Sequence, residues 1–400
     1  MANTLKFGNG QWYGKKDTIL AYNSENNNYK PLPFSFDRAS SATRVNKDGL
    51  IETVGSGEPR VDYKDDSKGA LLLEPSRSNS LLQSNKFDTT WASSTGIGIS
   101  SGYGGVYGSN DAWLLKRADG NSRYLYQNVS LSNTQTFSIY LKADTTNWAW
   151  LFLGGTTSWA YFDLENGAVG ATNSLLSSKI EPVSDGWFRC SITANVTLSS
   201  VRIYPAQSNL AVSGDSNLGI YIQNAQLEQG SYATSYIPTQ GSIGTRVAES
   251  SSQTVPDGII NSSEGTIFAE IKAFSILGNQ YVFDLSDNTS SNRVGVLITA
   301  TKLQAFRISP TDTSTTINST SISANTKYKL ALAYSSGRNV FYLNGVKIGE
   351  DTNVITSLSI NKLDVFQRFN STERLGGECK DLRVYNEALT DAELAALTTI

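Results

Sequence analysis

Apolar and polar residues alternate along this chain in many short segments. Gly, Asn, Asp and Ser interrupt the alternation every ~8–12 residues, which is the spacing of strands joined by turns. An apolar residue at every second position gives a strand one buried face. The clearest alternating segments are Phe137–Lys142, Thr266–Lys272, Lys329–Tyr334 and Asp381–Tyr385. The pattern predicts an all-β protein built from antiparallel β-sandwiches of the jelly-roll kind.

Local signals predict two hairpins and one helix. Asp48–Gly49 and Asn344–Gly345 lie between alternating segments, and glycine tolerates the positive φ that a tight turn requires. Thr390–Glu393 has the sequence of a helix capping box, in which the Thr and Glu side chains accept from free backbone amides. Leu394 and Leu397 follow on one helical face, so we expect a short C-terminal helix.

Turn-rich stretches divide the chain into regions. Clusters of Pro, Ser, Asn and Gly occur near position 75 and again from about 237 to 258. We therefore predict a small hairpin-rich N-terminal region over 1–82, a sandwich over 83–240 and a linker over 241–261. A second sandwich is predicted over 262–400.

Composition and charge exclude several functions. Among 400 residues there is no His, which removes the commonest general base and zinc ligand, and we predict no catalytic residue and no metal ligand set. Lys and Arg number 33 against 36 Asp and Glu, without a basic run, so nucleic acid is not an expected partner. The cysteines, Cys190 and Cys379, are far apart in sequence and are predicted to be two buried thiols.

The beginning of the sequence and its hydropathy bear on location. Met1–Gly8 lacks the charged and apolar segments of a secretory signal, and no apolar stretch approaches the ~18 residues that span a bilayer. We expect synthesis in a cytoplasm and no membrane insertion.

Several segments of the sequence resemble fibre and appendage proteins of tailed bacteriophages. The segments in the middle of the chain, Asp185–Cys190 and Gln226–Thr239, are similar to a carbohydrate-binding-module-like sandwich. The last segment, Gly377–Leu394, is similar to concanavalin A-like or laminin G-like jelly rolls. The phrases that carry the resemblance are Phe36–Glu52, Pro59–Tyr63, Leu71–Pro75, Asp185–Cys190, Gln226–Thr239 and Gly377–Leu394.

The resemblance implies a non-enzymatic virion structural protein on the particle surface, made in the host cytoplasm, with 1–82 as the attachment region. Its expected partners are other capsid or tail proteins, further copies of itself, with a trimer favoured, and host-surface polysaccharide. Two alternatives stay open: a purely architectural decoration protein and a capsule-depolymerising enzyme, including a lyase that uses Tyr and Arg. Head and tail locations are both compatible with the sequence.

Aromatic residues provide the candidate glycan site. Sugar binding uses flat aromatic faces together with fixed polar groups. On predicted neighbouring strands, Trp148 and Trp150 share one face, as do Trp159 and Tyr161. The alternative is that these side chains fill the sandwich core, as buried aromatic residues usually do. Trp187, between a turn and a strand, is assigned to the core.

Carboxylates give weaker candidates. The last region lacks the paired carboxylates that a retaining glycosidase needs, and Glu270 stands alone on its strand. Asp284, Asp287 and Asn288 could together supply oxygen ligands to calcium, but a polar turn between strands has the same composition. No other cofactor is expected.

Overall fold

The structure is a computed structural model that describes residues 4–8, 13–15, 18–20, 22–23, 34–106, 108, 110–254, 261–312, 314–354 and 358–400. Two predicted features lie partly outside the described residues. They are the first segment, expected to lack a secretory signal, at residues 1–3, and the predicted linker, at residues 255–260. Within the described residues the chain forms antiparallel sheets and one short helix, which confirms the all-β prediction.

The strands are numbered in chain order. The first ten are β1 (Thr4–Gly8), β2 (Tyr13–Lys15), β3 (Thr18–Leu20), β4 (Tyr22–Asn23), β5 (Phe34–Asp37), β6 (Ala42–Val45), β7 (Ile51–Val54), β8 (Arg60–Asp62), β9 (Ala70–Leu73) and β10 (Arg77–Asn79). The next twelve are β11 (Ala92–Ser93), β12 (Ile97–Tyr103), β13 (Ala112–Arg117), β14 (Leu125–Leu131), β15 (Thr134–Ala143), β16 (Trp148–Gly154), β17 (Trp159–Asp163), β18 (Ala168–Asn173), β19 (Ser177–Pro182), β20 (Phe188–Asn195), β21 (Leu198–Ala206) and β22 (Gly219–Gln229). The remaining elements are β23 (Gly244–Arg246), β24 (Ser250–Thr254), β25 (Gly265–Ala273), β26 (Gln280–Ser286), β27 (Arg293–Thr299), β28 (Lys302–Ile308), β29 (Thr315–Ser321), β30 (Lys327–Ser335), β31 (Arg338–Leu343), β32 (Val346–Asp351), β33 (Lys362–Val365), β34 (Gly377–Tyr385) and helix α1 (Asp391–Thr398).

The chain divides into two compact units. The discontinuous unit contains Met1–Lys47, Val54–Pro75 and Val247–Ile400, and the middle unit contains Asp48–Thr53 and Ser76–Arg246. This division differs from the predicted one, in which residues 1–82 formed a region of their own.

Strands from the beginning of the chain complete the sheets of the discontinuous unit. Sheet A has the order β32-β31-β30-β25-β34-β1-β4, with β9 also paired to β34 and β8 paired to β9. Sheet B has the order β2-β3-β5-β24-β33-β26-β27-β28-β29. The predicted N-terminal region is therefore not a separate set of hairpins, because β1, β5 and β9 hydrogen-bond to strands from the end of the chain.

Both sheets of the discontinuous unit contribute to one core. Ile267 and Val384 of sheet A and Val296 and Leu363 of sheet B belong to a single cluster of buried side chains. Alternation along each strand directs these residues inward, as the sequence pattern predicted. The buried thiol of Cys379 lies in the same cluster, in agreement with the prediction that it is unpaired.

A buried ion cluster joins the early motif, which we define as the segments Phe36–Glu52, Pro59–Tyr63 and Leu71–Pro75, to Glu249 just before β24. The Glu249 carboxylate accepts from Arg38 Nη1 at 2.8 Å, from Arg60 Nε at 2.7 Å and also from Arg60 Nη2. Arg60 also pairs with Glu74 at 2.8 Å, and none of the four side chains is more than 2% exposed. Burial lowers the pKa of Arg60, but Glu249 and Glu74 outweigh burial and the net pKa is raised. Arg38, Arg60 and Glu74 all come from the phrases that carry the phage resemblance.

The middle unit is a sandwich of two six-stranded sheets. Sheet C has the order β11-β14-β21-β16-β17-β18, and sheet D has the order β12-β13-β22-β15-β20-β19. Leu151 and Ile203 of sheet C share a core with Phe137 and Cys190 of sheet D. Trp187 is 1% exposed, which confirms its assignment to the interior.

The predicted linker over 241–261 contains ordered strands in its described part. β23 pairs with β10 in the middle unit, and β24 pairs with β5 and β33 in the discontinuous unit. The turn-forming residues predict a loop in this stretch. The backbone groups of β23 and β24 instead pair with strands that are distant in sequence.

The C-terminal signals are confirmed. Thr390 and Glu393 form the capping box of α1, and Leu394 packs against the outer side of sheet A with Phe268 and Val340. Asn344 and Gly345 have φ of 51° and 81°, the conformation of the predicted two-residue turn between β31 and β32.

No helix in the described parts of the chain is long and apolar enough to cross a membrane.

Candidate functional site

The candidate glycan residues lie on the outer face of sheet C. Along β16, Ala149, Leu151 and Leu153 are fully buried in the core of the middle unit. Trp148, Trp150 and Phe152 alternate with them and therefore point to the opposite side of the sheet. Neighbouring strands follow the same alternation. We call this surface the aromatic face, and it consists of Tyr124, Tyr126, Trp148, Trp150, Phe152, Trp159, Tyr161, Arg202 and Tyr204.

Four rings form one row across the sheet. Trp150 lies opposite Tyr161 on β17 and Tyr204 on β21, with ring centroids 5.5 Å and 4.3 Å away. The planes of Trp150 and Tyr161 are only 15° apart, so these two rings are stacked. Tyr124, just before β14, continues the row at 4.8 Å from Tyr204. At the usual strand spacing, four strands extend this row over about 14 Å.

A second row runs beside the first and contains a cation. Phe152 lies opposite Trp159 on β17 and Arg202 on β21, and Arg202 lies opposite Tyr126 on β14. The Arg202 guanidinium is 5.3 Å from the Phe152 ring centroid and 5.0 Å from that of Tyr124. These distances are typical of cation–π contacts.

Burial separates supporting rings from accessible ones. Tyr161 and Tyr204 are 4% and 3% exposed, whereas Trp148, Trp150 and Trp159 are half-buried. Burial raises the pKa of Tyr161 and, against a smaller opposing effect of Arg202, that of Tyr204. Both phenols are therefore neutral near pH 7, and their rings pack against that of Trp150.

Trp150 is the centre of the face. Its ring contacts four other aromatic rings, and its Nε1–H is buried without a hydrogen-bond acceptor among the described residues. Trp150 therefore organises the face through ring contacts, and the more peripheral rings are the ones that present area to a ligand.

Trp148 sits at one border of the face, beside a glycine. A Cβ atom added at Gly170 of β18 would lie 2.8 Å from the Trp148 ring and 2.7 Å from Asn209 Oδ1. The missing side chain thus leaves space for the indole. Asn209 Oδ1 accepts from the backbone of Ala171 at 2.8 Å, and Asn209 is itself exposed. Its amide provides a fixed polar group at the border of the rings.

The sequence placed Trp148, Trp150, Trp159 and Tyr161 on neighbouring strands but did not identify their partners. Tyr124, Tyr126, Arg202 and Tyr204 complete the face from β14 and β21, which are distant in sequence. A usable signal was present: Tyr124 with Tyr126, and Arg202 with Tyr204, each show the same spacing of two residues as Trp148 with Trp150. Assigning them to one face requires knowledge of which strands pair.

The candidate calcium turn is occupied by protein hydrogen bonds. Asp284 accepts from Arg293 Nη2 at 2.7 Å, and Asp287 accepts from Asn292 Nδ2 at 2.7 Å. Asn288 Oδ1 accepts from Lys362 Nζ at 3.2 Å. The three side chains thus serve different partners, and the described residues contain no group of three or more acidic or Cys side chains arranged to hold a metal.

Two carboxylates of the discontinuous unit occupy paired positions on neighbouring strands. Asp284 of β26 lies opposite Asp364 of β33, and both side chains are fully buried. Asp364 pairs with Lys362 at 3.1 Å, and burial raises its pKa to about 6. Because Arg293 and Lys362 already pair with these carboxylates, the arrangement is that of a structural ion network.

Comparisons with known proteins concern the fold. Residues 247–395 match the family model of the concanavalin A-like lectin/glucanases superfamily. No curated protein matches the chain. Solved structures that partly match the chain include the Ruminococcus gnavus IT-sialidase CBM40 bound to α2,3-sialyllactose, with 18% identity over 34% of this chain and 83% of that one and a TM-score of 0.32. Domain 4 of AbnA, a GH43 arabinanase from Geobacillus stearothermophilus, has 16% identity over 43% and 83%, with a TM-score of 0.32. The native heptameric SAP-like pentraxin from Limulus polyphemus has 21% identity over 34% and 69%, with a TM-score of 0.29.

The match of residues 247–395 agrees with the concanavalin A-like or laminin G-like sandwich that the sequence predicted for the last part of the chain.

Proposed function

We propose that this protein is a non-enzymatic glycan-binding protein and that the aromatic face of the middle unit is its binding surface. The observation that carries the proposal is the position of the rings, which lie on the side of sheet C opposite the core of the middle unit. Trp148, Trp159, Phe152 and Tyr126 on this side are each half-buried.

The chemistry of the face suits sugar rings. A pyranose presents a flat array of C–H groups that packs on an aromatic ring, and its hydroxyls require a few fixed polar partners. Arg202 and Asn209 lie in or beside the rings and can supply donors. The row of rings extends over about 14 Å at normal strand spacing, which favours an oligosaccharide over a single sugar.

Binding is better supported than hydrolysis. The chain has no His, and the paired carboxylates Asp284 and Asp364 are buried in ion pairs rather than open to a substrate. A depolymerase would release new reducing ends or unsaturated products from host polysaccharide, and we expect neither.

The test compares half-buried rings on the two sheets of the same unit. The parent protein should bind at least one oligosaccharide on an array of defined bacterial glycans. Trp159→Ala and Tyr126→Ala should each weaken that binding by about 1–3 kcal/mol. Tyr221→Ala is the matched control, because Tyr221 is also half-buried and contacts a ring, that of Tyr103 at 5.1 Å, but lies on sheet D.

Two results would contradict the proposal. If the parent binds no glycan on the array, a purely architectural role is the better explanation. If Trp159→Ala and Tyr126→Ala fold and bind as tightly as the parent does, the binding surface lies elsewhere.

The biological setting is proposed from the sequence resemblance alone. We propose that the protein is a head or tail appendage on the surface of a bacteriophage particle, assembled as a homo-oligomer, with a trimer favoured, and in contact with other virion proteins. Host-surface polysaccharide would be its ligand. Mass spectrometry of purified particles and light scattering of the protein test this setting, and a monomer absent from particles would refute it.

A further inference from the structure

Arg202 is the unusual member of the aromatic face. The six strands of sheet C, as the structure describes them, contain only two charged residues, Arg202 and Asp163. Asp163 accepts from the backbone amides of Glu165 and Asn166 at 3.0 Å and 3.1 Å, so its charge is used by its own turn. Arg202 is thus the single cation among half-buried rings.

The guanidinium is held in a defined position. It lies between the rings of Tyr124 and Phe152, and its Nε donates to Ser200 Oγ at 3.2 Å. Gly154, across from Ser200, makes this possible, because a Cβ there would lie 1.9 Å from Ser200 Oγ and 3.1 Å from Arg202 Nε. Any side chain at 154 would displace the hydroxyl that fixes the arginine.

The neighbours of this cation within the described residues are neutral. Ser200 Oγ accepts from its Nε, and the rings of Tyr124 and Phe152 lie against it. No carboxylate of the described residues forms an ion pair with Arg202, in contrast to Arg38, Arg60 and Arg293, which pair with Glu or Asp. A half-buried guanidinium without a counter-ion attracts an anion, and its planar donors match a carboxylate.

We infer that Arg202 binds the carboxylate of an acidic glycan, a uronic or sialic acid, while the neighbouring rings stack on the sugar. This inference rests on the proposed function, since it names the class of glycan that the aromatic face selects. Charge complementarity favours an acidic sugar over a neutral one, and the low polarity around the guanidinium strengthens the contact.

The experiment uses pairs of probes that differ only in the carboxyl group. Oligogalacturonate, alginate oligomers, hyaluronan oligomers and polysialic acid are each compared with the carboxyl-reduced form of the same oligosaccharide. The parent should bind at least one acidic member about tenfold or more tightly than its reduced form, and added salt should diminish the difference.

Variants then assign the preference to one side chain. Arg202→Gln should abolish the difference between the affinities for the acidic and the reduced forms. Arg202→Lys, which keeps the charge but loses the planar fork, should retain part of the preference. Lys116→Gln is the control for net charge, because Lys116 is half-buried on sheet D. Circular dichroism establishes that each variant is folded.

The outcomes separate this inference from the proposed function. If the parent binds acidic and reduced forms equally, or if Arg202→Gln keeps the full preference, the inference is refuted while glycan binding stands. If no member of any pair binds, the inference is refuted, and the proposed function fails with it only if the parent also binds no glycan on the array.

Discussion

Replacing Glu249 by Gln should strongly destabilise the discontinuous unit. The Glu249 carboxylate accepts hydrogen bonds from Arg38, from two nitrogens of Arg60 and from the Glu74 backbone amide. In the parent, two buried cations face two buried carboxylates, so the cluster is neutral. The Gln variant keeps the size of the side chain but leaves one positive charge uncompensated in the interior.

The expected cost is about 3–5 kcal/mol, the range for breaking a buried ion pair by removing one partner. That is a large part of the ~5–15 kcal/mol by which a domain is usually stable. Glu350→Gln is the matched control. Glu350 pairs with Lys347 at 2.5 Å on the surface of the same unit, and both side chains are about one-third exposed, so its loss should cost about 0–1 kcal/mol.

The two cysteines provide the assay. Cys379 is 1% exposed in the discontinuous unit and Cys190 is fully buried in the middle unit. Pulsed thiol labelling across a urea gradient, read by mass spectrometry, therefore reports the opening of each unit separately. Glu249→Gln should move the Cys379 transition to much lower urea. A shift no larger than that of Glu350→Gln would show that the ion cluster contributes little and that our reasoning is wrong.

Two further predictions concern the discontinuous unit. Burial raises the pKa of Glu378 from 4.5 to about 7, so the native state holds a proton that the unfolded state has released, and stability should fall as pH rises between these values. In urea unfolding, the Glu378→Gln variant should have a higher free energy of unfolding than the parent, by about 3 kcal/mol at pH 8 and by nearly nothing near pH 4. A difference that stays constant with pH would contradict the raised pKa of Glu378. Gly345 has φ of 81°, so Gly345→Ala should lower the free energy of unfolding by about 1 kcal/mol. Gly104→Ala, in the middle unit at a position with open space around it and no positive φ, is the control, and it should leave the free energy of unfolding of that unit nearly unchanged.

Much of the fold could be predicted because it depends on local patterns. Strand alternation, the Asn344–Gly345 turn and the Thr390 capping box each involve residues close in sequence, and each agrees with the structure. The division into units could not be predicted in the same way. The pairing of β1 with β34 joins residues nearly the whole chain apart, and no local signal marks such a partner.

The early motif illustrates the same limit. The resemblance carried by its segments implies an attachment region. In the structure, its charged residues Arg38, Arg60 and Glu74 converge on Glu249, which lies far along the chain. A buried charge requires a partner of opposite sign, but the sequence alone does not say which of 36 acidic residues supplies it.

The two outer faces of the middle unit show that the aromatic face is not a requirement of its fold. Sheet D covers the same core as sheet C, yet its outward positions with access to solvent include Ser100, Lys116 and Lys142. Polar side chains thus suffice to face solvent on this sandwich, as antiparallel sheets commonly allow. Sheet C places Trp150 and its neighbours at equivalent positions, where exposed apolar area favours association with a ligand or partner. Because the core is formed by side chains on the opposite side of the sheet, removing the peripheral rings should affect binding more than stability, which is the difference between a binding surface and a packing surface.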